Sequence, residues 1–190
     1  ASSPAAVSTL VGNKVLFFGL IIAQLGLVVY LSARVARLAP ATAGTLFLAY
    51  SALTGVTFSL ILLAYTGASV ANAFFITAGM FGALAVYGSV TKRDLTGMGR
   101  FMFMGLVGLV IASVVGIFWQ NDAMQFVMGV VGVLVFSGLI AYDTQRLRAM
   151  ALEVSGEQVG SYAIVGALSL YLDFINLFIS LLRLFGDRRN

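Results

Sequence analysis

The sequence predicts an all-α integral membrane protein, on the grounds of its composition, its apolar runs and the positions of its basic residues. Of 190 residues, 61% are hydrophobic and 9% are charged, and the mean hydropathy is +1.03. Soluble globular proteins carry about 25% charged residues, so a water-soluble fold could not bury this much apolar surface. Six apolar runs are long enough to cross a hydrocarbon core of about 30 Å as helices.

These six runs use most of the chain, so we expect one transmembrane helical bundle domain over residues 1–190 and no separate soluble domain. Apolar continuity and flanking charges place the spans at residues 15–33, 43–65, 70–90, 101–119, 124–144 and 162–185. The longest connection, residues 148–161, is predicted to be a hydrophilic linker. Small residues at four-residue spacing in the fourth span favour close helix packing, namely Gly108, Ala112 and Gly116.

Basic residues predict the orientation of the spans. They follow the first, third and fifth spans, as Arg34, Arg37, Lys92, Arg93, Arg100, Arg146 and Arg148. The opposite side has only Lys14 and the C-terminal Arg188 and Arg189. The positive-inside rule therefore makes the first set cytoplasmic. Both ends of the chain would then face outward, which favours one further helix before Ala1.

The composition also excludes several kinds of site. With no Cys and no His, the chain has no disulfides, thiolate metal sites, Cys nucleophiles or zinc-hydrolase motifs. The net charge is +4, but the basic residues lie at the ends of apolar runs rather than in a patch interleaved with aromatic residues. They indicate membrane orientation, and we expect no nucleic-acid partner.

Two of the seven acidic residues, Asp143 and Asp173, fall within predicted spans. An ionised Asp at a helix centre costs about 2.5 to 3.5 kcal/mol on insertion scales, so such a residue is a functional-site hypothesis. Asp143 lies near the cytoplasmic end of the fifth span, where pairing with Arg146, one turn on, is an alternative interpretation. Asp173 has no basic residue within two turns, so it is expected to face protein or water.

The sixth span has a polar stripe on one face, made by residues spaced four, three and four apart: Ser169, Asp173, Asn176 and Ser180. A helix with one polar stripe and an otherwise apolar surface suits the centre of a bundle, where the stripe can line a water-filled cavity. The second span has a weaker stripe of candidate pore-lining residues: Tyr50, Thr54 and Thr57. Hydroxyls that bond backbone carbonyls are the commoner explanation for such residues.

Whether the two aspartates meet is not settled by spacing. Counting equal rise from the predicted linker leaves their carboxyl groups offset by roughly 6 to 9 Å, so tilt or an extended linker would have to close the gap. If it closes, two carboxylates in a poorly hydrated site cannot easily both ionise, and the pair would titrate as a unit. The pair could also hold a hard cation such as Ca²⁺ through oxygen ligands.

Several segments carry a resemblance to a known family. AYDTQRL at residues 141–147 and ALSLYLDFINLFISLLRLFG at residues 167–186 resemble the bacterial branch of the transmembrane Bax inhibitor motif family. Four further segments resemble other helices of that family, namely LIIAQL (20–25), YSALTG (50–55), TAGMFGA (77–83) and TKRDL (91–95). The resemblance covers nearly the whole chain.

The resemblance implies a multi-pass protein of the bacterial inner membrane, with seven helices and the last one central, so the family's first helix would be absent from this chain. Characterised relatives act as pH-sensitive Ca²⁺ leaks with a cytoplasmic-side aspartate pair. The matching positions, Asp143 and Asp173, would be the pH sensor, the gate and the Ca²⁺ site. An Arg latches the pair in relatives, and Arg34 and Arg146 are the candidates here. Gln24 stands in the span where some bacterial members carry Glu.

Two other functions compete with a leak. Other bacterial relatives bind and modulate a membrane-bound AAA protease, which would make this chain an interaction protein. Intramembrane aspartyl proteases also use two aspartates on adjacent helices, one of them after Tyr, as in Tyr142 and Asp143. Their second motif is Gly-x-Gly-Asp, whereas Leu170, Tyr171 and Leu172 precede Asp173. We therefore expect no enzyme and no cofactor, with the lipid bilayer and passing cations as partners.

Overall fold

The computed structural model describes residues 14–34, 38–118, 121–153, 156 and 158–188, and this part of the chain contains six α-helices. They are α1 (Lys14–Arg34), α2 (Pro40–Leu63), α3 (Gly67–Val90), α4 (Thr96–Phe118), α5 (Asp122–Glu153) and α6 (Gln158–Phe185). Five of them, α2 to α6, are long and apolar enough to cross a membrane, and α1 contains the shorter apolar segment Ile22–Leu31. The predicted all-α membrane class is confirmed.

The helices fall into two compact units. In the described part of the chain, the first unit contains α1, α2 and the start of α6, up to Val165. The second unit contains α3, α4, α5 and the rest of α6, from Gly166. The single-domain organisation and the seventh family helix stay predictions.

Local sequence sets several helix ends. Pro40 opens α2, where its missing N–H removes no intrahelical hydrogen bond. Thr66 caps α3, since its hydroxyl accepts from the backbone N–H of Ser69 at 3.3 Å. Before α4, Asp94 accepts from the backbone N–H of Thr96 at 2.9 Å. The hydroxyl of Thr96 and then its backbone N–H lower the pKa of Asp94 below its ordinary value.

The predicted linker at residues 148–161 is wrong over most of its length, because α5 continues to Glu153 and α6 begins at Gln158. Residues 145–153 read QRLRAMALE and contain only helix-forming residues, so the helix runs on beyond the apolar segment. Between the helices, Gly156 has a φ of 75°, a conformation that favours glycine. The other predicted spans match the observed helices to within about five residues, and Trp119, the predicted end of the fourth, lies outside the described residues.

The core of the second unit lies between α5 and α6. It consists of Val135, Phe136, Leu139, Ile140, Leu177 and Leu181, with partly buried residues of α3 and α4 packed against it. Phe174 of α6 makes edge-to-face contacts with Phe74 and Phe81 of α3, at 5.9 and 5.5 Å between ring centroids. In α5 and α6, 39% of the apolar membrane-spanning segment is buried, against 6 to 17% in the other three spanning helices, α2 to α4. α5 and α6 are therefore the most buried of these five helices.

Candidate functional site: a carboxylate pair in the membrane interior

The relative register of α5 and α6 brings the two predicted aspartates together. The helices run antiparallel, with Leu147 beside Gly166 and Gly132 beside Ser180. In the same register Asp143 lies beside Ser169, whose hydroxyl donates to Oδ2 of Asp143 at 2.6 Å. Asp173 is one helical turn further along α6 than Ser169, so the two aspartates are offset by about 6 Å along the helix axes.

Side-chain direction closes this offset. In an α-helix the Cα–Cβ bond tilts toward the N-terminus of its own helix. Because α5 and α6 are antiparallel, Asp143 leans along α5 toward the level of Asp173, and Asp173 leans along α6 toward the level of Asp143. Their carboxyl groups lie within hydrogen-bonding reach of each other.

The two carboxyl groups differ in their surroundings. Asp173 is buried, with 6% of its surface exposed, and its Oδ2 has no hydrogen-bond partner among the described residues. Asp143 is half-buried and accepts the hydroxyl of Ser169. The deeper carboxyl group therefore has an oxygen whose bonding capacity is free for a proton, a water molecule or a cation.

Both aspartates line one cavity of about 600 Å³, here called the acid cavity. Its walls come from α4, α5 and α6, and its polar lining residues include Ser169 and Asn176. The other charged or titratable groups on its wall are Arg100 of α4 and Tyr142 and Arg146 of α5. Gly99 of α4 permits this arrangement, since a Cβ there would collide with the ring of Tyr142.

The predicted polar stripe of α6 extends beyond the acid cavity. The side-chain N–H of Asn176 donates to the carbonyl of Leu172 at 2.8 Å, and the buried Ser180 hydroxyl donates to the carbonyl of Asn176 at 2.7 Å. Asn176 and Ser180 also line a second cavity of about 260 Å³, which contains Arg183 and is here called the arginine cavity. The stripe thus follows two cavities in succession.

Comparison with known proteins shows the family. The profile described as "Inhibitor of apoptosis-promoting Bax1" matches residues 1–190. The chain belongs to the Bax inhibitor-1 family. Its relatives include the "Inner membrane protein YbhL" of Escherichia coli K12, which is 50% identical over 192 residues, covering 100% of this chain and 82% of the relative. The resemblance seen in the sequence is confirmed.

More distant relatives give the same picture. An uncharacterized protein of Deinococcus radiodurans is 49% identical over 170 residues, covering 89% of this chain and 74% of its own. A protein of Streptococcus pyogenes serotype M1, named as an uncharacterized membrane protein, is 42% identical over 180 residues, covering 95% of this chain and 78% of its own. With the spanning helices, these matches confirm the predicted location of this family member as a multi-pass protein of the bacterial inner membrane.

The candidate pore-lining residues of α2 lie in the first unit of this Bax inhibitor-1 family chain. Tyr50 and Thr54 of α2 are buried. The hydroxyl of Thr57 donates to the carbonyl of Leu53 at 2.9 Å. The side-chain amide of Gln24, on α1, donates to this same carbonyl and to the Thr57 hydroxyl oxygen. Gln24 thus ties α1 to α2, and a pore-lining role for the α2 residues stays a prediction.

The two candidate latches have different surroundings. Arg34 is exposed at the end of α1, where its guanidinium lies 5.9 Å from the centre of the Tyr30 ring. Arg146 is exposed and lines the acid cavity together with both aspartates. Arg146 therefore lines the same cavity as the pair. A latch role stays a prediction for both Arg34 and Arg146.

Sequence reasoning missed Gln145, which joins α5 to the connection between α3 and α4. Its side-chain carbonyl accepts from the backbone N–H of Leu95 at 2.9 Å, and its side-chain N–H donates to the carbonyl of Arg93 at 2.7 Å. Arg148, one turn on, donates to the carbonyl of Ser89. The available signal was position, since Gln145 lies two residues after Asp143 within the family motif AYDTQRL.

Proposed function

We propose that this Bax inhibitor-1 family member is a pH-sensitive cation leak that passes Ca²⁺ across the inner membrane, with Asp143 and Asp173 as sensor and gate. The observation that carries the proposal is the buried carboxyl group of Asp173, which faces a second carboxyl group and whose Oδ2 has no partner among the residues that the structure describes. A carboxyl group inside a membrane protein is costly, and residues of this kind mark ion pathways and proton relays.

The pair responds to protons because its two groups share one poorly hydrated site. Two negative charges about 4 Å apart repel by roughly 4 kcal/mol at an effective dielectric constant of about 20. A proton or a cation between the carboxyl groups relieves this repulsion, so occupancy of the pair changes how α5 and α6 pack. Arg100, Tyr142 and Arg146 face the same cavity and tune this balance.

The ligand set suits an ion in passage. Ca²⁺ takes about 6 to 8 oxygen ligands. The acid cavity offers two carboxyl groups with Ser169 and Asn176, and no cluster of three or more acidic side chains occurs among the described residues. A Ca²⁺ ion there would keep several water molecules and would leave readily, as a leak requires.

The test is Ca²⁺ flux into proteoliposomes at about pH 6 and about pH 8, with wild type and Asp173→Asn. Asparagine keeps the shape of the side chain and removes its titration, so we expect the wild-type flux to depend on pH and the variant flux to lose that dependence. Asp122→Asn, at an exposed position on the same helix as Asp143, is the matched control and is expected to behave as wild type.

Two results would contradict the leak. Absence of Ca²⁺ flux at either pH, with binding to a membrane-bound AAA protease intact, would favour the interaction protein. Cleavage of a membrane-helix substrate, abolished by Asp143→Ala or Asp173→Ala, would favour an aspartyl protease. The proposal assigns the chain no catalysis and no resident cofactor.

A further inference from the structure

The acid cavity and the arginine cavity are neighbours along the same three helices. Both are bounded by α4, α5 and α6 within the second unit. The acid cavity holds Asp143 and Asp173, and the arginine cavity holds Ser113, Ser180 and Arg183. From Asp173 to Arg183 is ten residues of α6, or about 15 Å, which is about half the thickness of a hydrocarbon core.

Three residues line both cavities, one from each helix: Leu106 of α4, Phe136 of α5 and Asn176 of α6. Residues common to two adjacent cavities form the wall between them. Phe136 is 6% exposed and belongs to the core cluster, against which Leu106 packs. The side-chain N–H of Asn176 is bonded to its own helix at Leu172. The wall is thus mostly apolar where an ion would have to cross.

We propose that Leu106, Phe136 and Asn176 form a closed constriction between two vestibules, and that cations cross the membrane between α4, α5 and α6 when this constriction opens. The inference rests on the proposed leak and adds the route and its barrier. An apolar constriction blocks ions by excluding water. The carboxylate pair lies one turn of α6 from Asn176, so a change in α5–α6 packing at the pair acts directly on the constriction.

Accessibility of single cysteines tests the wall without any measurement of flux, because the natural chain has no Cys. Leu172→Cys lines only the acid cavity, and Ser113→Cys, at an exposed position, lines only the arginine cavity. With a charged, membrane-impermeant methanethiosulfonate reagent, we expect Leu172→Cys to react from the cytoplasmic side alone and Ser113→Cys from the opposite side alone.

Opening the wall should remove this sidedness. In a Leu106→Ala background we expect each cysteine to react from both sides, and Ca²⁺ flux in proteoliposomes to rise several-fold at both pH values. Phe136→Ala should act in the same direction. If removal of this core ring prevents folding, Leu106→Ala still provides a test, because Leu106 is only half-buried. Leu109→Ala is the matched control, because Leu109 is on the same helix and lines only the arginine cavity.

The outcomes separate the two proposals. Sidedness unchanged by Leu106→Ala, in a protein whose wild type passes Ca²⁺ in a pH-dependent way, overturns the constriction and leaves the leak standing. Sidedness lost in Leu106→Ala with no Ca²⁺ flux in any variant supports the wall and overturns the leak. An equal response to Leu109→Ala would also overturn the constriction, since general loosening of α4 would then explain the result.

Discussion

At the scale of single residues, Asp173 is held at a cost to stability. It is buried, and its Oδ2 has no hydrogen-bond partner in the described part of the chain. A buried polar group without a partner costs about 1 to 3 kcal/mol. Sites of this kind persist when function requires them, and replacing them commonly makes a protein more stable and less active.

We therefore expect Asp173→Leu to raise the melting temperature of the detergent-solubilised protein. Leucine removes the unpartnered oxygen, and its side chain borders the acid cavity, which has room for it. The gain in the free energy of unfolding should exceed the roughly 0.5 kcal/mol that the better helix propensity of leucine alone provides. Asp173→Asn keeps a polar group in place and is the matched control. A lower melting temperature for Asp173→Leu than for Asp173→Asn would refute this account.

The sequence predicted which residues form the site better than how they meet. Asp143, Asp173 and Ser169 were identifiable because polar groups in apolar runs need a reason. Spacing left open whether the two aspartates meet, since counting rise along two helix axes ignores the opposite tilt of Cβ on antiparallel helices. Arg100 was interpreted only as a topology signal, although it also lines the acid cavity.

At the scale of helices, glycines set how closely α5 approaches its neighbours. A Cβ on Gly88 of α3 would collide with the backbone carbonyl of Ala141, and one on Gly132 with the side chain of Ser180. The spacing of small residues in α4 predicted close packing at Gly108, and this is wrong there, because a Cβ would meet no atom of the described residues within 4 Å. Helices that are apolar all round do not reveal which side faces a partner.

Gly88→Ala is expected to destabilise the protein, by about 1 to 3 kcal/mol as is typical of overpacking against atoms that cannot move aside. Gly82→Ala on the same helix is the matched control, since a Cβ there meets nothing within 4 Å in the part of the chain that the structure describes. That change should be neutral or stabilising by up to about 1 kcal/mol, because alanine is the better helix former. Thermal unfolding in detergent measures both, and equal stability of the two variants would show that α3 and α5 are less tightly packed than described.

At the scale of the whole molecule, hydropathy and basic residues were sufficient to predict the all-α membrane class and the helices. This follows from the bilayer, which demands internally bonded helices of sufficient length. Hydropathy predicted too early an end for α5. The apolar segment ends where the hydrocarbon core ends, whereas the helix continues as far as helix-forming residues do. The division into two units could not be predicted, because the sequence is apolar throughout and carries no change of composition at the boundary.

The orientation of the chain gives a further prediction. Gly97→Cys, at the start of α4, should react with an impermeant thiol reagent only from the cytoplasmic side, and Ala123→Cys, at the start of α5, only from the opposite side. Both positions are exposed, and the chain has no other cysteine. The positive-inside rule supplies the reason, because Lys92, Arg93 and Arg100 flank the first position. Reaction of both from one side would exclude this topology.

The two hydrogen bonds that join the Gln145 side chain to the backbone of Arg93 and Leu95 have a mechanical consequence. Gln145 is two residues from Asp143 on a continuous helix, so its side chain and the aspartate turn together. Any rotation of α5 that parts the aspartates must either break both bonds or pull the short segment between α3 and α4 along with it. A rotation of α5 inside the bilayer would in this way change the shape of the charged segment between α3 and α4.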